Sequence, residues 1–208
     1  MFAPAVRRPR LILPLAVALA ALAGCGQQRQ DANEPEGSFR VDVVDASFPA
    51  QQHIAQQATM RIAVRNPDRK TVPDVAVTVE TQGRGRGAEI TSFGQSSTDP
   101  RLSDPNRPVW VVDQEPKGGT SAYTNTWSLG PLPGGQTKTF EWKVTPVQAG
   151  SYAIAYRVAP GLNGKARVAA GSKAGGAFRV TVADQPVPAR VDASGNVVHG
   201  EQAGAGKD

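Results

Sequence analysis

Short segments of alternating polarity, separated by proline and glycine, constrain the fold of this 208-residue chain more than any other feature. In TFEWKV, for example, Phe140, Trp142 and Val144 alternate with charged residues. Alternation with a period of two is typical of strands that bury one face. The same pattern recurs in FRVDVVD, MRIAVRN, DVAVTVET, SYAIAYRV and AFRVTVAD. Helical periodicity is convincing nowhere after the N-terminal apolar run, so the sequence predicts an all-β fold.

The apolar sides of these segments form the predicted core. Turn sequences such as NPDRKTVP, GPLPGGQ and TPVQAG lie between them, and about seven such strands predict two packed antiparallel sheets, a β-sandwich. The predicted core comprises Val41, Ile62, Val64, Val77, Trp127, Phe140, Trp142, Ile154, Tyr156 and Val180. A later GLNG sequence predicts the tight turn of an added hairpin, because Asn-Gly suits such turns.

The last of these strands resemble a known kind of module. GPLPGGQ precedes TKTFEWKV, and Gly150-Ser151-Tyr152 opens the next strand. These motifs resemble the end of the cell-adhesion-related (CARDB-like) immunoglobulin-like modules of bacterial surface proteins, over about Thr59 to Ala183. The resemblance implies an immunoglobulin-like antiparallel β-sandwich in which Tyr152 bonds back to the preceding corner. It implies no particular function.

The chain departs from this pattern between Gln82 and Asn125, where the sequence predicts a long inserted loop region. Connections in compact domains are commonly about four to six residues long, and much longer ones are often functional or disordered. Trp110 adjoins the polar part of this region, and an exposed tryptophan beside a loop is typical of binding faces. We therefore name Trp110, Arg101 and Arg107 as candidate partner-binding residues. Two alternatives remain: a buried Trp110, and an insertion without a role.

The N-terminus is typical of a secretion signal, with basic VRRPR followed by apolar LILPLAVALAAL. The apolar run is shorter than the roughly 20 residues that span a membrane as a helix. Leu22-Ala23-Gly24-Cys25 resembles the lipobox of bacterial lipoproteins, which implies cleavage between Gly24 and Cys25 and a lipid on the Cys25 sulfur. Cys25 is the one cysteine of the chain, so it forms no intramolecular disulfide. The alternative is an ordinary signal peptide. Two export routes, the general secretory and the twin-arginine pathway, remain as alternatives.

These features divide the chain into four predicted segments. Residues 1–24 are the lipoprotein signal peptide, and 25–37 are the lipidated cysteine with a flexible linker, whose composition is too polar to order by burial. Residues 38–184 form the sandwich. Residues 185–208 form a polar tail, mostly disordered, in which VDASGNVV is either a small hairpin or unstructured.

Few residues have the chemistry of a catalytic or metal site. The chain has two histidines, two methionines and one cysteine, whereas a transition-metal site needs several convergent ligands of these types. It has no G-x-S-x-G motif for a nucleophilic serine. Oxygens suited to calcium occur at Asp99, Asp104, Asn106 and Asp113, but such residues are also ordinary turn formers. We expect no catalytic residue, no metal ligand and no cofactor.

Charge excludes one class of partner. Three of the 23 basic residues lie in the first ten positions, which leaves 20 basic against 18 acidic residues after the signal. A nucleic-acid-binding face needs clustered positive charge, so we expect no nucleic-acid partner.

Taken together, the residues predict a protein held at the extracytoplasmic face of the cell membrane through its lipid anchor. Its expected role is a non-catalytic interaction or structural module, with an envelope protein or a glycan as partner. The alternative is an envelope lipoprotein that binds carbohydrate or peptide for a transporter or an enzyme.

Overall fold

The computed structural model describes residues 33–82, 93–94, 108–186 and 189–199, and every regular element within these ranges is a β-strand. One sheet has five strands in the order β2 (Asp42–Ser47), β4 (Ala58–Arg65), β10 (Thr137–Pro146), β7 (Trp110–Gln114), β6 (Phe93–Gly94). The other has six strands in the order β3 (Gln51–His53), β13 (Gly175–Ala183), β11 (Gly150–Ala159), β5 (Ala76–Gln82), β9 (Thr126–Ser128), β8 (Thr120–Tyr123). None of the described residues forms a helix with the length and hydropathy needed to cross a bilayer.

The two sheets pack around one core, which confirms the predicted set of buried residues. Phe140 and Trp142 of β10 and Ile154 of β11 are fully buried. Glu141 lies between the two aromatic residues, faces the solvent, and pairs with Arg61 of β4 at 3.5 Å. The other predicted core residues are buried as well: Val41, Ile62, Val64, Val77, Trp127, Tyr156 and Val180. Alternation along each strand therefore separates the core from the surface, as the sequence predicts.

The strand order is immunoglobulin-like. Strands β2, β4, β10 and β7 lie in the order A-B-E-D of that fold, and β13, β11 and β5 lie in the order G-F-C. Strand β3 runs parallel to β13 at the sheet edge. The hydroxyl of Tyr152, near the start of β11, donates to the Ala149 carbonyl oxygen at 2.9 Å. This is the predicted tyrosine corner, and the structure confirms it.

The region between Gln82 and Asn125 contributes to both sheets rather than being a loop throughout. Strands β6 and β7 join one sheet and β8 joins the other. Phe93 of β6 is buried, with its ring centroid 5.9 Å from Trp127 and 6.3 Å from Trp110. The edges of the insertion are thus part of the core. Its remaining parts, 83–92 and 95–107, lie outside the described residues.

The GLNG sequence does not close a hairpin with β11. Gly164 has the positive φ (82°) expected of a tight turn. The strand that follows, β12 (Ala166–Val168), pairs in parallel with β1 (Gly37–Phe39) instead. The predicted hairpin is therefore wrong, because β12 pairs with a strand of the N-terminal segment and not with β11.

The tail contains a hairpin of β14 (Ala189–Val191) and β15 (Val197–His199). Asp192 organises its turn by accepting the N–H groups of Ser194 at 2.8 Å and Asn196 at 2.9 Å. These bonds, that of Asn196 foremost, hold the pKa of Asp192 below its usual value. Of the two outcomes that VDASGNVV left open, the chain adopts the hairpin.

Candidate functional site

Trp110, the predicted binding anchor, lies in the core. Its side chain is fully buried at the start of β7, and its indole N–H donates to Oε1 of Gln52 at 2.7 Å. The rings of Phe48 and Tyr152 lie 5.7 and 5.4 Å from it, centroid to centroid. The prediction that Trp110 presents an exposed face to a partner is therefore wrong. Valines flank the tryptophan on both sides, so alternation alone does not show which face of this strand is buried.

The other predicted site residues lie outside the described residues: Gly24, Cys25, Arg101 and Arg107. The same holds for three of the loop oxygens considered for calcium, Asp99, Asp104 and Asn106. The fourth, Asp113, accepts hydrogen bonds from the Thr145 hydroxyl at 2.7 Å and from Nε2 of Gln57 at 3.1 Å. Asp113 thus joins two neighbouring chain segments.

A cleft of about 460 Å³ opens beside the N-terminal segment. Its walls come from five parts of the chain: residues 33–35, the approach to β5 at 73–74, Gly118 and Thr120 at the start of β8, the end of β9 and the turn after it at 128–131, and Leu162. Leucine and proline side chains supply an apolar surface, and Glu34 and Asp74 supply two carboxylates. Clefts that combine apolar walls with a few polar groups are the usual form of ligand sites.

Glu34 is bound by the backbone of the loop that follows β11. Its Oε2 atom accepts the N–H groups of Leu162 at 2.6 Å and Asn163 at 2.7 Å, and its Oε1 atom accepts that of Ala166 at 2.7 Å. Burial alone would raise the pKa of Glu34, but these N–H bonds together hold it below its usual value. A Cβ atom at position 161 would lie 2.4 Å from the Glu34 carboxyl carbon, so this close approach requires Gly161. We call Glu34 and the loop 161–166 the carboxylate clasp.

Asp74 occupies the opposite wall in a different environment. The Ser128 hydroxyl donates to its Oδ1 atom, and the Gly130 N–H donates to the Ser128 oxygen at 3.1 Å. Burial raises the pKa of Asp74 above its usual value, and the negative charge of Glu34 acts in the same direction. Hydrogen bonds from Ser128 and Gly130 and the positive charge of Lys138 act in the opposite direction.

Both carboxylates already make hydrogen bonds within the fold. Three backbone donors occupy the Glu34 oxygens, and Ser128 occupies Asp74, so both are engaged before any ligand arrives. Among the described residues there is no group of three or more His, Cys, Asp or Glu side chains placed to hold a metal ion. The arrangement therefore fixes the N-terminal segment and leaves a cleft able to accept a small ligand.

Sequence reasoning missed both residues of the cleft. Glu34 stands in the polar stretch NEPEG, which predicts a linker, and its binding loop is 128 positions away. Asp74 follows Pro73 and resembles an ordinary turn residue. The one local signal was GLNG, whose glycines allow a side chain to approach the backbone closely. The sandwich therefore begins to hold the chain at Glu34, within the segment 25–37 that was predicted to be a linker.

No family model matches the chain, and no curated protein matches it. Solved structures with similarity include the CARDB domain of a Pyrococcus furiosus protein in complex with di-metal ions, with 17% identity, a TM-score of 0.44, and coverage of 72% of this chain and 98% of that one. Another is native alpha-2-macroglobulin from Escherichia coli, with 13% identity, a TM-score of 0.40, and coverage of 73% and 18%. A cohesin module from Clostridium perfringens has 9% identity, a TM-score of 0.39, and coverage of 71% and 100%. The all-β sandwich itself follows from the strand order and burial described above.

Proposed function

We propose that this chain is a lipid-anchored envelope protein whose sandwich acts as a non-catalytic interaction or structural module. The anchor is Cys25, and the domain stands on the extracytoplasmic face of the membrane. The observation that carries this proposal is the carboxylate clasp: Glu34, nine positions after Cys25, is held by three backbone N–H groups. A segment attached in this way holds the domain within a short distance of an anchor at Cys25.

The chemistry of Cys25 supports the same proposal. Each buried methylene of an acyl chain contributes about 0.8 kcal/mol, and one chain alone binds a membrane only marginally, so stable anchoring needs two or more chains. A bacterial lipoprotein carries more than one chain on its first residue, which is what the resemblance of LAGC to a lipobox implies here. The one cysteine of the chain then serves as the attachment point.

Replacement of Cys25 tests the anchor. The Cys25→Ala protein should be found outside the membrane fraction or remain as the uncut precursor. The Gln27→Ala protein, changed two positions away, should be found in the membrane fraction as the native protein is. Mass measurement of the native mature protein should give a chain that starts at Cys25 with acyl groups attached. A mature chain without lipid mass, or one that starts elsewhere, would contradict the proposal.

A second candidate function is the binding of a carbohydrate or a peptide for a transporter or an enzyme. The cleft beside Glu34 favours it, because leucine and proline walls with carboxylates at the rim suit a small ligand with both apolar and hydrogen-bonding groups. Glycan arrays and cell-wall peptides, probed with the full chain, test this function. A ligand of this cleft should bind more weakly to Leu162→Ala and equally well to Val44→Ala, whose side chain is exposed elsewhere on the domain.

A further inference from the structure

The carboxylate clasp lies at one end of the sandwich. Arg65, at the end of β4, pairs with Thr137 at the start of β10, and Ala76, at the start of β5, pairs with Ala159 at the end of β11. The connections at this end include 66–75, 129–136 and 160–165, and the last of these holds Glu34. We call this the clasp end.

The insertion is attached at the opposite end. Gln82, the last described residue before it, pairs with Ala153, close to the start of β11. Phe93 pairs with Trp110, and Trp110 pairs with Pro146 at the end of β10. The chain therefore leaves and rejoins the sandwich around the β10–β11 turn. We call this the insertion end.

The length of chain between the anchor and the clasp limits how the domain can stand on a membrane. Cys25 and Glu34 are separated by nine residues, which span about 30 Å at full extension and about 15–18 Å on average as a flexible chain. The sandwich is about 35 Å long from residue 136 to residue 147, at about 3.3 Å per residue. Placing the insertion end on the membrane would require the connecting chain to be fully stretched along the domain. Full extension costs conformational entropy, so this orientation is disfavoured.

We propose that the clasp end faces the lipid bilayer and that the insertion end faces away from it. This inference rests on the proposed anchoring through Cys25. The partner that the clasp end faces is the bilayer surface to which Cys25 is attached. Exposed Arg69, Lys70 and Lys165 lie in the connections at this end and can approach the headgroups.

Acidic residues also lie at the clasp end. Glu36 and Asp68 are exposed at the same end. Glu34, whose pKa the N–H bonds hold below its usual value, and half-buried Asp74 lie there as well, so carboxylates offset the basic side chains of this end. The orientation therefore depends on the short connecting chain and not on the charge of the clasp end.

Labelling at the two ends of a single strand tests the orientation. Cys25 is acylated in the proposed mature protein, so a new cysteine is the one free thiol for a fluorophore. Gln136→Cys, just before β10, marks the clasp end, and Val147→Cys, just after it, marks the insertion end; both positions are exposed. The full lipoprotein is reconstituted in phosphatidylethanolamine–phosphatidylglycerol vesicles that carry a rhodamine headgroup, and energy transfer to the lipid is measured.

Energy transfer to the lipid should be at least about twofold higher from position 136 than from position 147, because the two positions lie about 35 Å apart along the strand. Equal transfer from both positions, or higher transfer from 147, would overturn the orientation. Flotation with the vesicles is scored separately. A protein that does not float contradicts the anchor, and one that floats without the contrast contradicts only the orientation.

The clasp itself is tested in the same assay. Glu34→Ala frees the chain as far as Gly37, where β1 begins to pair with β12, which adds three residues and about 10 Å of reach, so the contrast between the two labels should fall. Glu36→Ala removes a nearby carboxylate without touching the clasp and should keep the full contrast. An undiminished contrast in Glu34→Ala would show that the clasp does not orient the domain.

Discussion

The indole N–H of Trp110 donates to Oε1 of Gln52 at 2.7 Å, and this hydrogen bond joins the two sheets across the core. Both side chains are buried. Nε2 of Gln52 in turn donates to the Pro49 carbonyl oxygen at 2.9 Å, so the amide is satisfied at both ends. The tryptophan that the sequence suggests as a binding anchor is instead one half of a buried polar contact.

Loss of this contact should be measurable. Trp110→Phe leaves Oε1 of Gln52 buried without its donor, which costs about 1–3 kcal/mol beyond the loss of ring volume. Trp142→Phe is the matched control, because the Trp142 N–H has no hydrogen-bond partner among the described residues. Urea unfolding should show Trp110→Phe to be the less stable of the two. Adding Gln52→Leu to Trp110→Phe should recover part of the loss, and no recovery would argue against the hydrogen bond.

Truncation of the aromatic core should be far more costly than truncation of the surface of the same strand. Phe140→Ala and Trp142→Ala should each lower the free energy of unfolding by about 3–5 kcal/mol, as for other large buried aromatic residues. Glu141→Ala removes only an exposed ion pair with Arg61 and should cost about 1 kcal/mol or less. Similar costs for all three, in chemical denaturation, would contradict the burial pattern of β10.

The tyrosine corner should stabilise the turn between β10 and β11. Tyr152→Phe removes the hydroxyl that donates to the Ala149 carbonyl oxygen and should cost about 0.5–1.5 kcal/mol. Ser151→Ala, next to it and exposed, provides the comparison. Thermal unfolding of the two variants should separate them. A Tyr152→Phe protein as stable as Ser151→Ala would mean that the corner bond is not stabilising.

The carboxylate clasp should make stability depend on pH. Because N–H bonds lower the pKa of Glu34 in the folded protein, its contribution is present above the usual Glu pKa and is lost as the pH falls through the folded value. Glu34→Gln should therefore be less stable than the native protein at neutral pH, and the difference should close in acid. Exposed Glu36→Gln should show no such difference.

One neighbouring group complicates that measurement. The pKa of Asp74 is raised by burial and also by the charge of Glu34, so Asp74 contributes with the opposite sign. Repeating the comparison in an Asp74→Asn background removes this second titration. A stability gap between native and Glu34→Gln proteins that stays constant with pH in that background would contradict the clasp.

Replacement of residues 95–107 by a few Gly and Ser residues should leave thermal stability nearly unchanged. This stretch contains one aliphatic residue, Leu102, and a segment so polar contributes little burial. The flanking residues Gly94 and Pro108 are described parts of the fold and are kept. Unfolding of the shortened protein, measured by calorimetry, would show that the segment belongs to the core.

The sequence by itself determined the fold class and most of the core of this protein, whereas the tyrosine corner was implied by the resemblance of its last strands to immunoglobulin-like modules. The fold class and the core follow from local geometry: a strand turns alternate side chains to opposite faces, so TFEWKV and SYAIAYRV encode which of their residues are buried. Where polarity does not alternate, as around Trp110, that information is missing. The pairing register with β10 supplies it: Trp110 lies opposite buried Pro146, so it shares the inward face, and a one-residue slip would turn it outward.

Only the tertiary structure decided what Glu34 and Gln52 do. Their partners lie 128 and 58 positions along the chain, so no local pattern marks the contact. A glutamate in a polar stretch has the same composition whether it is solvated or bound by backbone N–H groups. Glu34 is bound because the folded sheets place the loop 161–166 beside the N-terminal segment. The predicted linker is therefore part of the domain from Glu34 onward.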